Sequence, residues 1–179
     1  MKSLREKQSD AYKALKEEFH IANVMAAPRI TKVVVSTGTG SAKDRKARME
    51  LVMDRLTKIT GQRPAPRGSK KSVASFKVRE GEQVGAAVTL HGERMWGFLD
   101  KFINVAVPRM RDFRGFDKKA VDAMGNLTLG VKEHMVFPET ADEDLRDAFG
   151  FAVTIVTTAK SKPEALAFFE NIGIPFKKA

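Results

Sequence analysis

Apolar residues Leu4, Ala11, Leu15 and Phe19 recur at helical intervals behind Ser3 and Glu6, which have the spacing of a capping box, and predict a first helix. Pro28 forces extended backbone before it, and residues 29–37 alternate around the β-branched centre Val33-Val34-Val35, the pattern of a strand. Gly38-Thr39-Gly40 turns the chain, and Ser41 with Asp44 can cap a second helix whose stripe is Met49, Val52, Met53, Leu56 and Ile59. Gly61 stands where that helix would stop, and Pro64 and Pro66 keep the following stretch extended. Two further strands are predicted at 73–79 and 86–90, linked by Glu80-Gly81-Glu82-Gln83 with Gly85 behind. Met95, Trp96, Leu99, Phe102, Ile103 and Ala106 mark a helix over 93–105 that Pro108 ends. The pattern then fades into a long polar loop over 109–126. Leu127, Leu129 and Val131 suggest a short strand and residues 151–158 a longer one. Ser161 with Glu164 opens a last helix striped by Ala165, Leu166, Phe169 and Ile172. This order predicts an α+β fold, an antiparallel β-sheet with helices packed on one face and two long loops, in a single domain over 1–179.

Composition adds a partner class. The chain has 179 residues, 32 of them Lys or Arg against 22 Asp or Glu, so its net charge is +10. Such an imbalance points to a polyanion. There are no cysteines, which excludes disulfide frameworks, thiolate metal sites and cysteine nucleophiles. His20, His91 and His134 are far apart in sequence, so no metal site is expected. No run approaches the roughly 20 apolar residues of a membrane span, and the N-terminus runs into alternating charge; a cytoplasmic protein without membrane partners is expected.

Candidate catalytic features are thin. Gly38-Thr39-Gly40-Ser41 after a strand invites a nucleotide phosphate, but Lys43 occupies the place of the third glycine of the dinucleotide fingerprint. His91-Gly92-Glu93 sets an imidazole beside a carboxylate, although sequence neighbours on a turn rarely meet at one substrate atom. Glu139, Asp142, Glu143, Asp144 and Asp147 form an acidic loop that suits solvent better than paired-acid chemistry. Basic runs carry more information. Residues 61–79 hold Arg63, Arg67, Lys70, Lys71, Lys77 and Arg79 with no acid. Residues 109–119 hold Arg109, Arg111, Arg114, Lys118 and Lys119 against Asp112 and Asp117. Such runs neutralise phosphates and release counterions. Gly68-Ser69 and Gly115-Phe116 within them offer backbone N–H groups, and Phe113 and Phe116 offer rings for a base or a partner.

Several motifs in register then resemble one family, the large-subunit ribosomal protein five. They are Thr60-Gly61-Gln62-Arg63-Pro64, Lys71-Ser72-Val73-Ala74-Ser75-Phe76-Lys77-Val78-Arg79 and Gly92-Glu93-Arg94-Met95-Trp96. After them come Ala106-Val107-Pro108-Arg109-Met110-Arg111-Asp112-Phe113-Arg114-Gly115, Val136-Phe137-Pro138-Glu139 and Thr157-Thr158-Ala159-Lys160. The resemblance runs over about residues 24–176. It implies a structural protein of the cytoplasmic ribosome that binds 5S rRNA and helps attach it in the central protuberance, and no enzyme. Implied partners are 5S rRNA, large-subunit rRNA, P-site tRNA, small-subunit ribosomal protein thirteen and neighbouring 5S-associated ribosomal proteins. No cofactor, metal, catalytic residue or small-molecule substrate is implied.

Carried over by position, Ser36, Gln62 and Thr89 would hydrogen-bond RNA, while Arg29, Lys32, Lys70 and Lys71 take phosphates and Arg63, Arg67 and Arg94 complete the rRNA-binding set. The hairpin of Lys77, Arg79, Gly81, Gln83 and Gly85 would approach tRNA. Arg109, Arg111, Phe113, Arg114 and Phe116, with Glu139, Asp142, Glu143 and Asp144, would form the intersubunit bridge. Three positions depart from the family's habit: Ser36 replaces an Asn, and Glu82-Gln83 replace an aromatic–proline pair. The alternatives are an RNA-modifying or nucleolytic enzyme using Glu93 or the acidic loop, and a nucleotide-binding regulator using the turn at Gly38–Ser41.

Overall fold

The computed structural model describes residues 3–40, 42, 44–111, 113–140 and 148–177. Five strands, β1 (Ile30–Gly38), β2 (Ala65–Gly68), β3 (Gln83–Leu90), β4 (Leu127–Val131) and β5 (Phe151–Thr157), form one antiparallel sheet in the order β2-β3-β1-β5-β4. Helices α1 (Leu4–Glu18), α2 (Arg45–Thr60), α3 (Gly92–Lys101) and α5 (Lys162–Ile172) complete the α+β fold, with α4 (Val107–Arg109) a single turn. The chain divides into two compact units. The first comprises Met1–Val33, His91–Leu129 and Thr154–Ala179, and the second Val34–Leu90 and Gly130–Val153.

In the first unit α1 packs against α3 and α5. The capping box forms as the spacing predicts: the Ser3 hydroxyl accepts from the Glu6 N–H at 3.3 Å, and the Ser3 N–H donates to the Glu6 carboxylate at 3.1 Å. Leu4, Ala11 and Leu15 are buried, as are Phe98, Leu99, Phe102, Ala165, Phe168, Phe169 and Ile172. Phe168 takes the core place that the sequence pattern gives to Leu166, which is half-buried. Ser161 is the N-cap of α5 but makes no side-chain cap bond; the Glu164 carboxylate instead accepts from the Lys160 N–H at 2.8 Å.

Pro108 does not end its helix. Residues Phe102–Ala106 widen into a π-turn, with the Val107 N–H reaching the Phe102 carbonyl, and helical backbone continues through Arg109. A proline lacks the N–H and clashes with the carbonyl four residues back, so the wider turn lets the helix pass it.

In the second unit α2 packs on β3, burying Met49, Val52, Leu56 and Ile59 with Ala86, Val88 and Leu90. Asp44 caps α2, its carboxylate accepting from the Ala47 N–H at 3.2 Å, while Ser41 lies outside the described residues. Gly61 closes the helix at φ +68°, a conformation glycine adopts without Cβ conflict.

The strand expected at 73–79 is not there. A 3₁₀ turn, Ala74–Phe76, is followed by Lys77 at φ +51°, and Val73 bridges back to Val78. The strand that pairs with β3 on its other side from β1 is instead β2, with Ala65 opposite Ala87 and Arg67 opposite Gly85. Consequently 77–85 is no hairpin on its own: residues 69–82 are the connection of a β2–β3 hairpin.

Candidate nucleic-acid interface

Within the second unit, strand alternation sorts the site residues. Val35 and Thr37 of β1 are buried, which turns Ser36, half-buried, to the opposite face. On β3, Ala86, Val88 and Leu90 face the helix, leaving Gly85, Ala87 and half-buried Thr89 on that opposite face. The register adds Ala65 and exposed Arg67 from β2. Side chains here are short, so a partner can come close to the backbone. Gly85 shows how close neighbours already are: a Cβ there would stand 2.6 Å from the Thr37 carbonyl oxygen. Gln62, just past the α2 cap, donates from Nε2 to the Thr89 carbonyl at 3.2 Å and so braces the end of β3.

The same unit carries further cations. Arg63, Lys70, Lys71, Lys77 and Arg79 are exposed. The connection that carries four of them is ordered by its own hydrogen bonds. Ser69 N–H donates to the Glu82 carbonyl at 2.8 Å, Gly81 N–H to the Ser69 carbonyl at 2.9 Å, and Glu80 N–H to the Ser72 hydroxyl at 3.0 Å. The Ser69 N–H is therefore engaged internally, against the expectation that it meets a phosphate. Glu82 is held twice: its carboxylate accepts from the Arg79 N–H at 3.0 Å and pairs with the Arg45 guanidinium. These contacts, the Arg79 N–H first and Arg45 next, hold the Glu82 carboxyl below the usual glutamate range.

In the first unit Arg29 and Lys32 are exposed at the start of β1, where Arg29 N–H donates to the Thr158 hydroxyl at 3.0 Å. Arg94 is exposed in the first turn of α3. Arg109, Arg111 and Arg114 are exposed too, but the aromatics among them are not free rings. The Phe116 ring lies beside that of Phe102, 6.4 Å between centroids and 26° between planes, and Phe113 meets Phe116 edge-on at 4.9 Å. Phe116 also pairs its backbone with the C-terminal segment, donating to the Pro175 carbonyl at 2.8 Å and accepting from the Lys177 N–H at 2.8 Å. That Phe116 N–H is likewise unavailable to a phosphate. The sequence signal for this docking was the aromatic spacing itself, which without the C-terminal partner reads as surface.

The features that suggested catalysis have structural uses. Thr39 is buried and its N–H donates to the Val84 carbonyl at 2.8 Å, while Asp44 covers the α2 N-terminus. Glu93 pairs with Arg5 at 2.8 Å, and His91 Nδ1 lies 3.3 Å from the Thr31 carbonyl. Glu139 is exposed; Asp142, Glu143, Asp144 and Asp147 lie outside the described residues. Among the described residues no His, Asp or Glu group is arranged to hold a metal, and no helix is long and apolar enough to cross a membrane.

A basic α+β chain with a short-side-chain sheet face and an ordered cationic connection is a nucleic-acid-binding scaffold rather than a catalyst. Comparison with known proteins is specific. Residues 23–79 match the family described as ribosomal protein L5, and residues 83–176 match the family of its C-terminal part. The large ribosomal subunit protein uL5 of Ureaplasma parvum serovar 3 is 46% identical over 166 residues, covering 93% of this chain and 90% of the relative. That of Malacoplasma penetrans is 44% identical over 171 residues, covering 96% and 91%. That of Natranaerobius thermophilus is 48% identical over 162 residues, covering 90% of each. The chain belongs to the ribosomal protein L5 family, structural constituents of the large ribosomal subunit and not enzymes. Its place is the ribosome and its partner class is rRNA.

Proposed function

We propose that this protein binds 5S rRNA through the face of β1, β2 and β3 that carries Ser36, Thr89 and Arg67, and helps attach that RNA in the central protuberance. The observation that carries the reading is the pairing of a sheet face with mostly short side chains, two of them hydroxylated, with exposed cations on the same unit. A-form RNA presents 2′-hydroxyls and phosphates across a shallow minor groove, which suits this combination. Lys70 and Lys71 take phosphates, and in the other unit Arg29 and Lys32 do the same. Gln62 acts through Thr89, whose carbonyl it braces. The 69–82 connection approaches P-site tRNA, and exposed Arg109, Arg111 and Arg114 with Glu139 and the acidic segment serve the contact with small-subunit ribosomal protein thirteen.

A gel-shift titration against 5S rRNA tests this, with tRNA and an unrelated duplex RNA as competitors at two salt concentrations. Retention of the 5S complex against both competitors and the higher salt supports the reading. Equal competition by all three RNAs, with collapse in salt, leaves only charge and overturns 5S recognition.

A further inference from the structure

Phe76 is 70% exposed, one of the most exposed large apolar side chains among the described residues, and it stands in the most cationic part of the chain. Lys77 and Arg79 flank it, Lys70 and Lys71 lie in the same connection, and all four are exposed. The backbone beneath it is fixed from one point. The Arg45 guanidinium donates to the Phe76 carbonyl at 2.8 Å and to the Lys77 carbonyl at 3.1 Å, and pairs with Glu82. Lys77 is held at φ +51°, and its N–H donates to the Ala74 carbonyl at 3.0 Å. Ser72, Val73, Ala74, Lys77, Val78 and Arg79 border an open surface cleft in the same connection, which Phe76 itself does not line.

We propose that Phe76 stacks on an unpaired RNA base, with Lys77 and Arg79 on the flanking phosphates, and that Arg45 is the positioning residue that presents this contact by tying Glu82 to the carbonyls of Phe76 and Lys77. An aromatic face accepts any base, and surrounding cations supply the backbone attraction. An apolar protein groove is a poorer occupant, because it would desolvate four cations without pairing them. Of the two acids in this connection, Glu82 is already engaged by Arg45 and the Arg79 N–H, and exposed Glu80 is outnumbered by the four cations. The inference extends the tRNA-approaching part of the proposed function and does not need the 5S surface.

The test uses the full chain with Trp96→Phe, which removes the only native tryptophan, and Phe76→Trp as reporter. The probes are single-stranded heptauridylate and a blunt RNA duplex of equal length. Stacking quenches the emission of the reporter indole with heptauridylate and not with the duplex. In the Trp96→Phe background, Phe76→Ala weakens heptauridylate binding about tenfold, the order expected for one stacked base. Added to the reporter chain, Arg45→Ala weakens binding several-fold and reduces the quench, and the conservative Arg45→Lys, which keeps a donor for these carbonyls and a charge for Glu82, recovers part of both. Equal quenching by the duplex, binding without quenching, or unchanged affinity in Phe76→Ala overturns the proposal. So does a quench and affinity unchanged by Arg45→Ala, for the positioning role. A parallel 5S gel shift on each variant reports folding and separates the readings: loss of 5S binding in the parent chain fails the 5S surface alone, and loss of quenching with 5S binding intact fails this proposal alone.

Discussion

The guanidinium of Arg45, at the first turn of α2, is paired with the carboxylate of Glu82, 37 positions further along the chain. An acid in a loop proposed to face RNA, taken alone, opposes a polyanion. Here its charge is answered by Arg45, and its second oxygen accepts the Arg79 N–H at 3.0 Å. Glu82, at one of the two positions where the resemblance implies an aromatic–proline pair, thus forms an ion pair that ties the loop to α2.

Glu82 should titrate below the ordinary glutamate value of 4.5. Its folded pKa is depressed by the Arg79 N–H first and by Arg45 second. A depressed carboxyl contributes stability that is complete above the unfolded pKa, near the ordinary glutamate value of 4.5, and is lost as pH falls through the lower folded value. Side-chain carboxyl NMR titration reads this directly. Arg45→Ala should raise the Glu82 midpoint yet leave it depressed, because the Arg79 N–H remains. A Glu82 midpoint at the ordinary glutamate value of 4.5 in the parent chain would remove the clamp.

Gly115→Ala should destabilise the first unit. Gly115 has φ +100°, and a Cβ there would lie 2.6 Å from the Lys177 nitrogen and from the Phe176 carbonyl carbon, both backbone atoms that cannot swing aside. Strain of this kind costs about 1–3 kcal/mol, with the lost pairing of Phe116 in addition. Gly130→Ala is the control, since nothing lies within 4 Å of its Cβ position and its φ is not positive. Urea midpoints measure both, and an unchanged Gly115→Ala midpoint would mean the loop is not fastened at Phe116.

Local pattern made most of the fold legible. The Ser3–Glu6 box, the β-branched run at Val33–Val35, the α2 stripe ending at Gly61 and the alternation of β4 and β5 each lie within one element. What escaped depends on distant partners. Strand β2 reads Ala65-Pro66-Arg67-Gly68, is exposed throughout and shows no alternation; only its register with β3 makes it a strand. Residues 73–79 do alternate, but the αL backbone of Lys77 folds them back on themselves, and Arg45, which donates to the freed carbonyls, sits 32 positions before Lys77. Of the candidate site, the cations were visible as charge. The docking of Phe116 on Phe102 and Pro175 was not, because its partners come from two other segments.

Thr157→Val is a near-isosteric change that isolates a buried polar link. Thr157 is buried; its hydroxyl donates to the Gly125 carbonyl at 2.7 Å and accepts from the Ala159 N–H at 3.3 Å. Valine leaves both backbone groups without that partner, a loss of about 1–3 kcal/mol. Thr154→Val removes a hydroxyl contact of 3.1 Å to exposed Thr128 and should change stability by under about 0.5 kcal/mol. Thermal or urea unfolding of the pair compares them, and equal losses would show that the buried link is not what the Thr157 hydroxyl contributes.

Lys70→Ala with Lys71→Ala tests whether the exposed cations meet phosphate. Both side chains project to solvent from the β2–β3 connection. Folding should therefore be unaffected, because surface substitutions of this kind stay within about 0.5 kcal/mol. If each ammonium neutralises one phosphate of 5S rRNA, the double variant releases about two fewer counterions on binding, and the slope of log K against log salt becomes shallower by nearly two. The loss should be similar for variants of 5S rRNA differing in base sequence, since phosphate contacts position without reading sequence. Gel-shift titrations across a salt series measure the slope. A slope equal to that of the parent would place both lysines off the RNA and leave the sheet face of Ser36, Thr89 and Arg67 to account for binding.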